Sequence, residues 1–353
     1  MMAAMAAASV LAGYFDQAQR VFEMAAAGQG GPVARDYILA GEALRVQYAG
    51  APLAASLGAA MSPRAARGRA PGLSIYAWGG EMPGGQLPPP PWEAVDYFER
   101  GNVRGYQDAR WTLAYDRRLE VFSAADHLRQ VAIYWARDAV NLNYRERSTP
   151  MRRVIQGWAQ QRGMFVAHAA AVGRPEGGVL IAGRTGSGKS TTALACLRSR
   201  LGYAGDDCVL IATEPAPWLH SLYHTAKLNT EVLAWLPEAA PLVVNGEKLA
   251  DEKAVLHLAP TWAHWVSAGF PLRAVVLPRP TRECRSIVQP ISAEAAYRAI
   301  VPDMLFTALG DARVVGQVMG NLVRALPCYA LALGTDLATV PAAIEQILAA
   351  HPG

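Results

Sequence analysis

A chain of 353 residues with 52% hydrophobic and 18% charged side chains has enough apolar surface for a sizeable core and too little charge to stay disordered. Its 33 basic side chains exceed its 29 acidic ones by a formal +4, a surplus too small to argue for nucleic acid and one that an anionic ligand satisfies. Four cysteines, Cys196, Cys208, Cys284 and Cys328, stand far apart with no C-x-x-C pair, which excludes a disulfide framework or zinc ribbon and favours a reducing cytoplasm.

The apolar run Met1 to Gly13 has no Lys or Arg ahead of it and continues into Tyr14-Phe15-Asp16-Gln17 as an amphipathic helix does, so neither a leader nor a membrane span is expected. From Ala3 to about Leu57 the Ala-rich composition, broken at Gly28 to Pro32 and Gly50 to Pro52, predicts two or three helices forming a peripheral layer or an oligomer contact. Ser62 to Pro71, with Arg64, Arg67 and Arg69, reads as a loop whose arginines either face water or meet a phosphate or acidic peptide. Leu73 to Trp78 predicts a strand, and Pro83 to Pro91 a linker or lid with a stiff polyproline stretch. Trp111 to Tyr115, Leu119 to Ser123 and Gln130 to Trp135 predict an antiparallel meander. Thr149-Pro150 opens a helix to about Arg162, with Val154, Ile155 and Trp158 on one face. This organisation gives an N-terminal α+β domain over residues 1–150 and a second domain over 151–353.

Met164 to Val172 predicts a strand carrying His168, which is either a satisfied core histidine or, if this strand pairs with the next, a group beside the site that follows. That next strand is the apolar run Val179 to Ala182, and Gly183-Arg184-Thr185-Gly186-Ser187-Gly188-Lys189-Ser190 comes directly after it. The glycines let the chain turn so that successive N–H groups point inward, and Thr191 to Arg198 continues as a helix whose N-terminus favours an anion. Main-chain N–H groups then hold α- and β-phosphates, the Lys189 ammonium reaches the β- and γ-phosphates, and the Ser190 hydroxyl coordinates magnesium. ATP and Mg2+ are the expected ligands, lined by Gly183 to Thr191. Asp206 and Asp207 follow on a turn between apolar runs. Adjacent carboxylates raise one another's pKa and call for a cation, and one beside a transferring phosphoryl group can also take the proton from an attacking hydroxyl. His224, Lys227, Arg273 and Arg279 are further basic candidates, phosphate contacts or surface groups. Ser292 to Leu309, Asp311 to Leu326 and Val340 to Ala350 read as helices, and Tyr329 to Leu333 as a final strand.

His168, Gly183-x-x-Gly186-x-Gly188-Lys189-Ser190 and Gly205-Asp206-Asp207, in this order and at these separations, resemble the C-terminal catalytic domain of the bacterial HPr kinase/phosphorylase family. That family shares its fold with ATP-dependent phosphoenolpyruvate carboxykinase. The resemblance spans roughly Met164 to Leu333 and implies an α/β P-loop catalytic domain that phosphorylates serine. It implies phosphate and magnesium contacts for Lys189 and Ser190, a general-base role for Asp206, a place at the metal for Asp207, and a place beside the reacting groups for His168. The Gly-Arg-Asn stretch of that family is absent, and Tyr223-His224-Thr225-Ala226-Lys227-Leu228 stands in its region. In this the chain is more similar to the HPr kinase-like serine kinases found beside biosynthetic peptide clusters, including those acting on the C-terminal serine of lasso-peptide precursors. A peptide or small-protein acceptor is implied, with free serine or another small alcohol, a carboxykinase-like reaction and a non-enzymatic nucleotide switch as alternatives. The long stretch ahead of the core offers surface for a larger partner, either a sheet edge between Trp111 and Trp135 or a scaffold and homo-oligomer contact. Neither nucleic acid nor membrane is an expected partner.

Overall fold

Apolar side chains at Leu11, Tyr14, Phe15, Ala18, Phe22 and Ala25 recur at helical spacing and are all buried, which makes α1 (Met2–Gly28) an amphipathic helix with one stripe turned to the core. The computed structural model describes residues 2–61, 69–96, 101–104, 108–197, 199–259, 261–307 and 312–352. The chain divides into two units, Met1–Gln161 and Arg162–Gly353. Arg64 and Arg67, with their expected phosphate or peptide contact, lie outside the described residues.

In the first unit the helices expected after α1 give way to a hairpin, β1 (Pro32–Leu39) and β2 (Glu42–Ala49), before α2 (Ala51–Gly58). Ala40 and Gly41 take φ of 49° and 82°, the two positive values that match a tight hairpin to the twist of its strands. Here local turn geometry and pairing override the helix preference of alanine. Arg69 donates to the Gly41 carbonyl at 2.7 Å, which occupies it within this turn. β3 (Leu73–Gly79), β4 (Trp111–Asp116), β5 (Val121–Asp126) and β6 (Val131–Ala136) complete a mixed sheet of order β1-β2-β3-β6-β5-β4. The expected meander is its β4-β5-β6 end, but its outer edge is not open. Tyr115 N–H donates to Gly101 O at 2.7 Å and Val103 N–H to Leu113 O at 3.3 Å, so β4 already has a partner segment. The proline-rich tract is not a spacer either. The indoles of Trp78 and Trp135 both donate to Gly85 O at 2.9 Å, and buried Trp92 stacks on Phe122, which fixes the tract to this unit's own core.

The helix expected from Thr149 is α4 (Arg152–Gln160), which begins after Met151 with φ 57°, and a short helix not expected, α3 (Tyr144–Ser148), precedes it. Val154, Ile155 and Trp158 are buried. A Cβ on Gly157 would lie 2.7 Å from Thr112 Oγ1, so α4 packs closely on β4 and the first unit runs to Gln161 rather than to residue 150.

The second unit is an α/β arrangement. The strand expected over Met164 to Val172 is broken into β7 (Met164–Ala167) and β8 (Ala170–Arg174), with His168 in the break. There follow β9 (Gly177–Ile181), α5 (Lys189–Ala195), β10 (Gly202–Gly205), β11 (Val209–Ala212), β12 (Trp218–Ser221), β13 (Thr225–Leu228) and α6 (Thr230–Leu233). The rest is β14 (Ala254–His257), β15 (Gly269–Pro280), β16 (Ile287–Ile291), α7 (Ala293–Thr307), α8 (Ala312–Ala325), β17 (Cys328–Leu333) and α9 (Val340–Ala350). The main sheet runs β10-β8-β9-β15-β12-β11-β7, with β17 parallel to β15 and β16 antiparallel to β17. β13 and β14 pair separately.

Both faces of this sheet are covered, and the alternation along β9 shows how. Val179 and Ile181 enter one cluster with Leu194 of α5 and Ile344 of α9, while Leu180 enters the other with Ile300 of α7 and Met319 of α8. The unit is therefore three layers with a core on each side of the sheet. β9 runs parallel to β15, and the glycine-rich loop leaves its C-terminal end. Gly178 marks a close approach: a Cβ there would lie 2.2 Å from Phe270 Cε2, in a fully buried ring. Gly178→Ala is expected to cost about 1–3 kcal/mol of stability by overpacking, lowering the thermal midpoint by roughly 2–4 °C for each kcal/mol. An unchanged melting curve counts against the close packing. All four cysteines are free, and no described helix is long and apolar enough to cross a membrane.

Candidate functional site

Gly183, Gly186 and Gly188 hold φ of 135°, 82° and 98°, a backbone that L side chains resist, so the loop after β9 depends on these glycines for its shape. The Ser187 N–H closes the turn onto Arg184 O at 3.1 Å. Lys189 folds back across it, its ammonium donating to Gly183 O at 2.7 Å and Arg184 O at 3.2 Å. Burial pushes the Lys189 pKa down, against the pull of Asp303, Asp206 and Asp207. The Ser187 hydroxyl is buried with no hydrogen-bond partner, and a Cβ at Gly186 would meet nothing within 4 Å. A donor of this kind, with an ammonium and open space beside it, suits a phosphate oxygen.

The carboxylates come from the turn after β10, where a bulge between Tyr203 and Gly205 and the positive φ of Asp207, 65°, send the two side chains different ways. Asp206 Oδ1 accepts from the Ser190 hydroxyl at 2.9 Å and its Oδ2 from the Lys227 N–H at 3.2 Å. Burial, then the neighbouring Asp207 charge, raises the Asp206 pKa. Asp207 Oδ1 lies 2.9 Å from His168 Nε2, and Oδ2 meets the Lys227 ammonium. Burial alone would raise Asp207, but Lys227 and His168 together hold it well below the usual carboxylate range. The other ring nitrogen of His168 is 2.5 Å from Asp303 Oδ2. Burial opposes a charged ring there, and the two flanking carboxylates outweigh it and raise the His168 pKa.

The structure thus brings together Lys189, Ser190, Asp206, Asp207, His168 and Lys227. The Ser190 hydroxyl, expected at magnesium, is bonded to Asp206, the expected base, and Asp206 is buried whereas the side chain of Asp207, expected at the metal, is 25% exposed. Lys227 is engaged by Asp207. Arg184, Thr185 and Gly186 lie exposed on the loop and Thr191 is half-buried on α5. Arg279 is exposed at the end of β15 whose neighbours Pro278 and Pro280 approach Gly188. Arg273 is excluded. It donates to Glu176 O at 2.9 and 3.2 Å, at the N-terminal end of β9 and a strand's length from the loop. His224 is buried, its carbonyl taken by the Leu258 N–H. Asp303 was not among the expected residues; a lone aspartate in a helix 135 positions from its histidine carries no spacing signal.

No family model and no curated protein matches the chain. Among solved structures it is similar to the HPr(Ser) kinase/phosphatase from Coxiella burnetii, at 11% identity and a TM-score of 0.30 over 52% of this chain and 88% of that one. A likeness that loose carries no argument, and the functional reading stands on the site itself.

Proposed function

We propose that the chain is an ATP-dependent phosphotransferase that moves the γ-phosphoryl group to a serine hydroxyl of a peptide or small protein, with a ribosomally made precursor peptide as the favoured acceptor. The observation that carries the reading is the hydrogen bond from Ser190 to Asp206 beside Lys189: two hard oxygen groups adjoin the ammonium that meets the phosphates. That donor set fits magnesium, which takes few protein oxygens and the substrate's phosphates. Ser190 and Asp206 would hold the ion, which neutralises charge developing on the transferring group when bound.

The remaining groups position the acceptor. Asp207, held ionised by Lys227 and His168, orients the serine hydroxyl and takes its proton as the new phosphorus–oxygen bond forms and the bond to the β-phosphate oxygen breaks. Proton transfer late in a loose transition state asks little basicity of such a carboxylate. The occupied edge of β4 removes the peptide-docking strand expected there, which favours a second reading, free serine or another small alcohol as acceptor. Incubating the full chain with Mg-ATP and, separately, serine-ended peptides, free serine and oxaloacetate decides the matter by mass spectrometry. A phosphoserine peptide is the expected product; phosphoenolpyruvate alone, or no phosphorylated acceptor with any of them, would overturn the proposal.

A further inference from the structure

Asp303 is a carboxylate that the site does not need for metal or acceptor, yet it is built into the glycine-rich loop. Its helix α7 is anchored by Ile300 and Met304, both fully buried under the sheet, so the side chain is delivered from a fixed support. Three groups of the loop and its flank converge on it. The Thr185 N–H bonds it, the Thr185 hydroxyl donates to Oδ1 at 3.4 Å, and the Lys189 ammonium lies 4.0 Å from Oδ2. A backbone N–H, a hydroxyl and the loop lysine are the donors such a loop offers to a phosphoryl group. A carboxylate resembles that group in charge and in its paired oxygens.

We propose that Asp303 is a positioning residue that stands in for the γ-phosphoryl group before nucleotide binds, surrenders Lys189 when it arrives, and keeps His168 bridged to Asp207 throughout. This rests on the phosphotransferase reading above. The bridge follows from hydrogen-bond inventory. Asp207 and Asp303 each take one ring nitrogen of His168, and two ionised carboxylates can only accept, so the ring donates from both nitrogens and has no lone pair with which to act as a base. His168 is then a fixed cation tying the carboxylate turn to α7. The competition follows from charge: anions that share Lys189 repel one another, and a γ-phosphate adds, beyond the β-phosphate that ADP also brings, the anion that would take the place Asp303 holds.

The two roles predict opposite effects of one substitution. Asp303→Asn keeps the shape and removes the charge, so affinity for ATP should rise relative to ADP, by roughly 3- to 10-fold, while kcat falls about tenfold or more because His168 is no longer held between two carboxylates. Asp303→Glu restores the charge and should return the ATP-to-ADP ratio toward that of the unaltered chain. Calorimetry with Mg-ATP and Mg-ADP on the full chain reads this without any acceptor, so it stands apart from the identity of the acceptor. If the ratio is unchanged in Asp303→Asn, or both nucleotides weaken alike alongside a lowered melting temperature, Asp303 is only structural and the proposal fails. If the ratio shifts as expected but no acceptor is ever phosphorylated, the phosphotransferase reading fails and the sensing role of Asp303 stands.

Discussion

Lys189→Ala should weaken ATP binding by about 10²- to 10³-fold, since it removes two or three charge-assisted contacts to the β- and γ-phosphates, each worth about 1.5–3 kcal/mol before partial compensation. The lysine is preset for this. Its ammonium is carried by the Gly183 and Arg184 carbonyls at 2.7 and 3.2 Å, inside the loop, so little side-chain entropy is lost when a nucleotide arrives. The same substitution should leave the fold intact, because the side chain fills no core cluster. Calorimetry with Mg-ATP on both proteins is the check. Equal affinities would remove the phosphate-binding assignment, and with it every role built on it.

Replacing the two aspartates one at a time should separate metal from acceptor. Asp206→Asn is expected to remove the magnesium-dependent part of nucleotide affinity, because the hydroxyl of Ser190 is bonded to that carboxylate and to no other described one. Asp207→Asn should leave Mg-ATP affinity within about threefold and lower the transfer rate by roughly 10²- to 10⁴-fold, the range that a positioned proton acceptor contributes. Titrating magnesium at fixed ATP for each variant, with a parallel single-turnover assay, reads both quantities. The opposite pattern, binding retained in Asp206→Asn and metal dependence lost in Asp207→Asn, would establish the division implied by the family resemblance and overturn the one proposed here. A pH profile cannot make the distinction, since adjacent carboxylates titrate as a pair.

What the sequence disclosed follows from how local each signal is. The phosphate loop is eight consecutive residues with fixed chemical duties, and Asp206-Asp207 is a dipeptide whose mutual repulsion demands a cation. His168 was recognisable as an oddity in an apolar run, but the break that presents it was not. β8 pairs with its neighbour β9, but β7 pairs with β11, a division made by a partner that lies far along the chain. Asp303 was invisible for the same reason. Arg273 and Arg279 looked equivalent as the two ends of one strand, and only the parallel register of β15 on β9 shows that one end faces the loop and the other faces away. In the first unit, alanine's helix preference concealed the hairpin at Ala40-Gly41, where the usual Asn-Gly signal is missing.

The two-sided burial of β9 also limits what lengths of chain natural variation can use here. Val179 and Ile181 face one layer and Leu180 the other, so inserting or deleting a single residue between Gly178 and Ile181 would exchange the two layers' partners. The same slip would rotate the loop's departure by half a pleat and carry Lys189 away from Asp206 and Asp303. Insertions that such a protein tolerates should therefore collect elsewhere, in surface segments such as the one between β11 and β12, where Glu214, Pro215 and Ala216 are exposed, while the count of residues from Gly178 to Lys189 stays fixed.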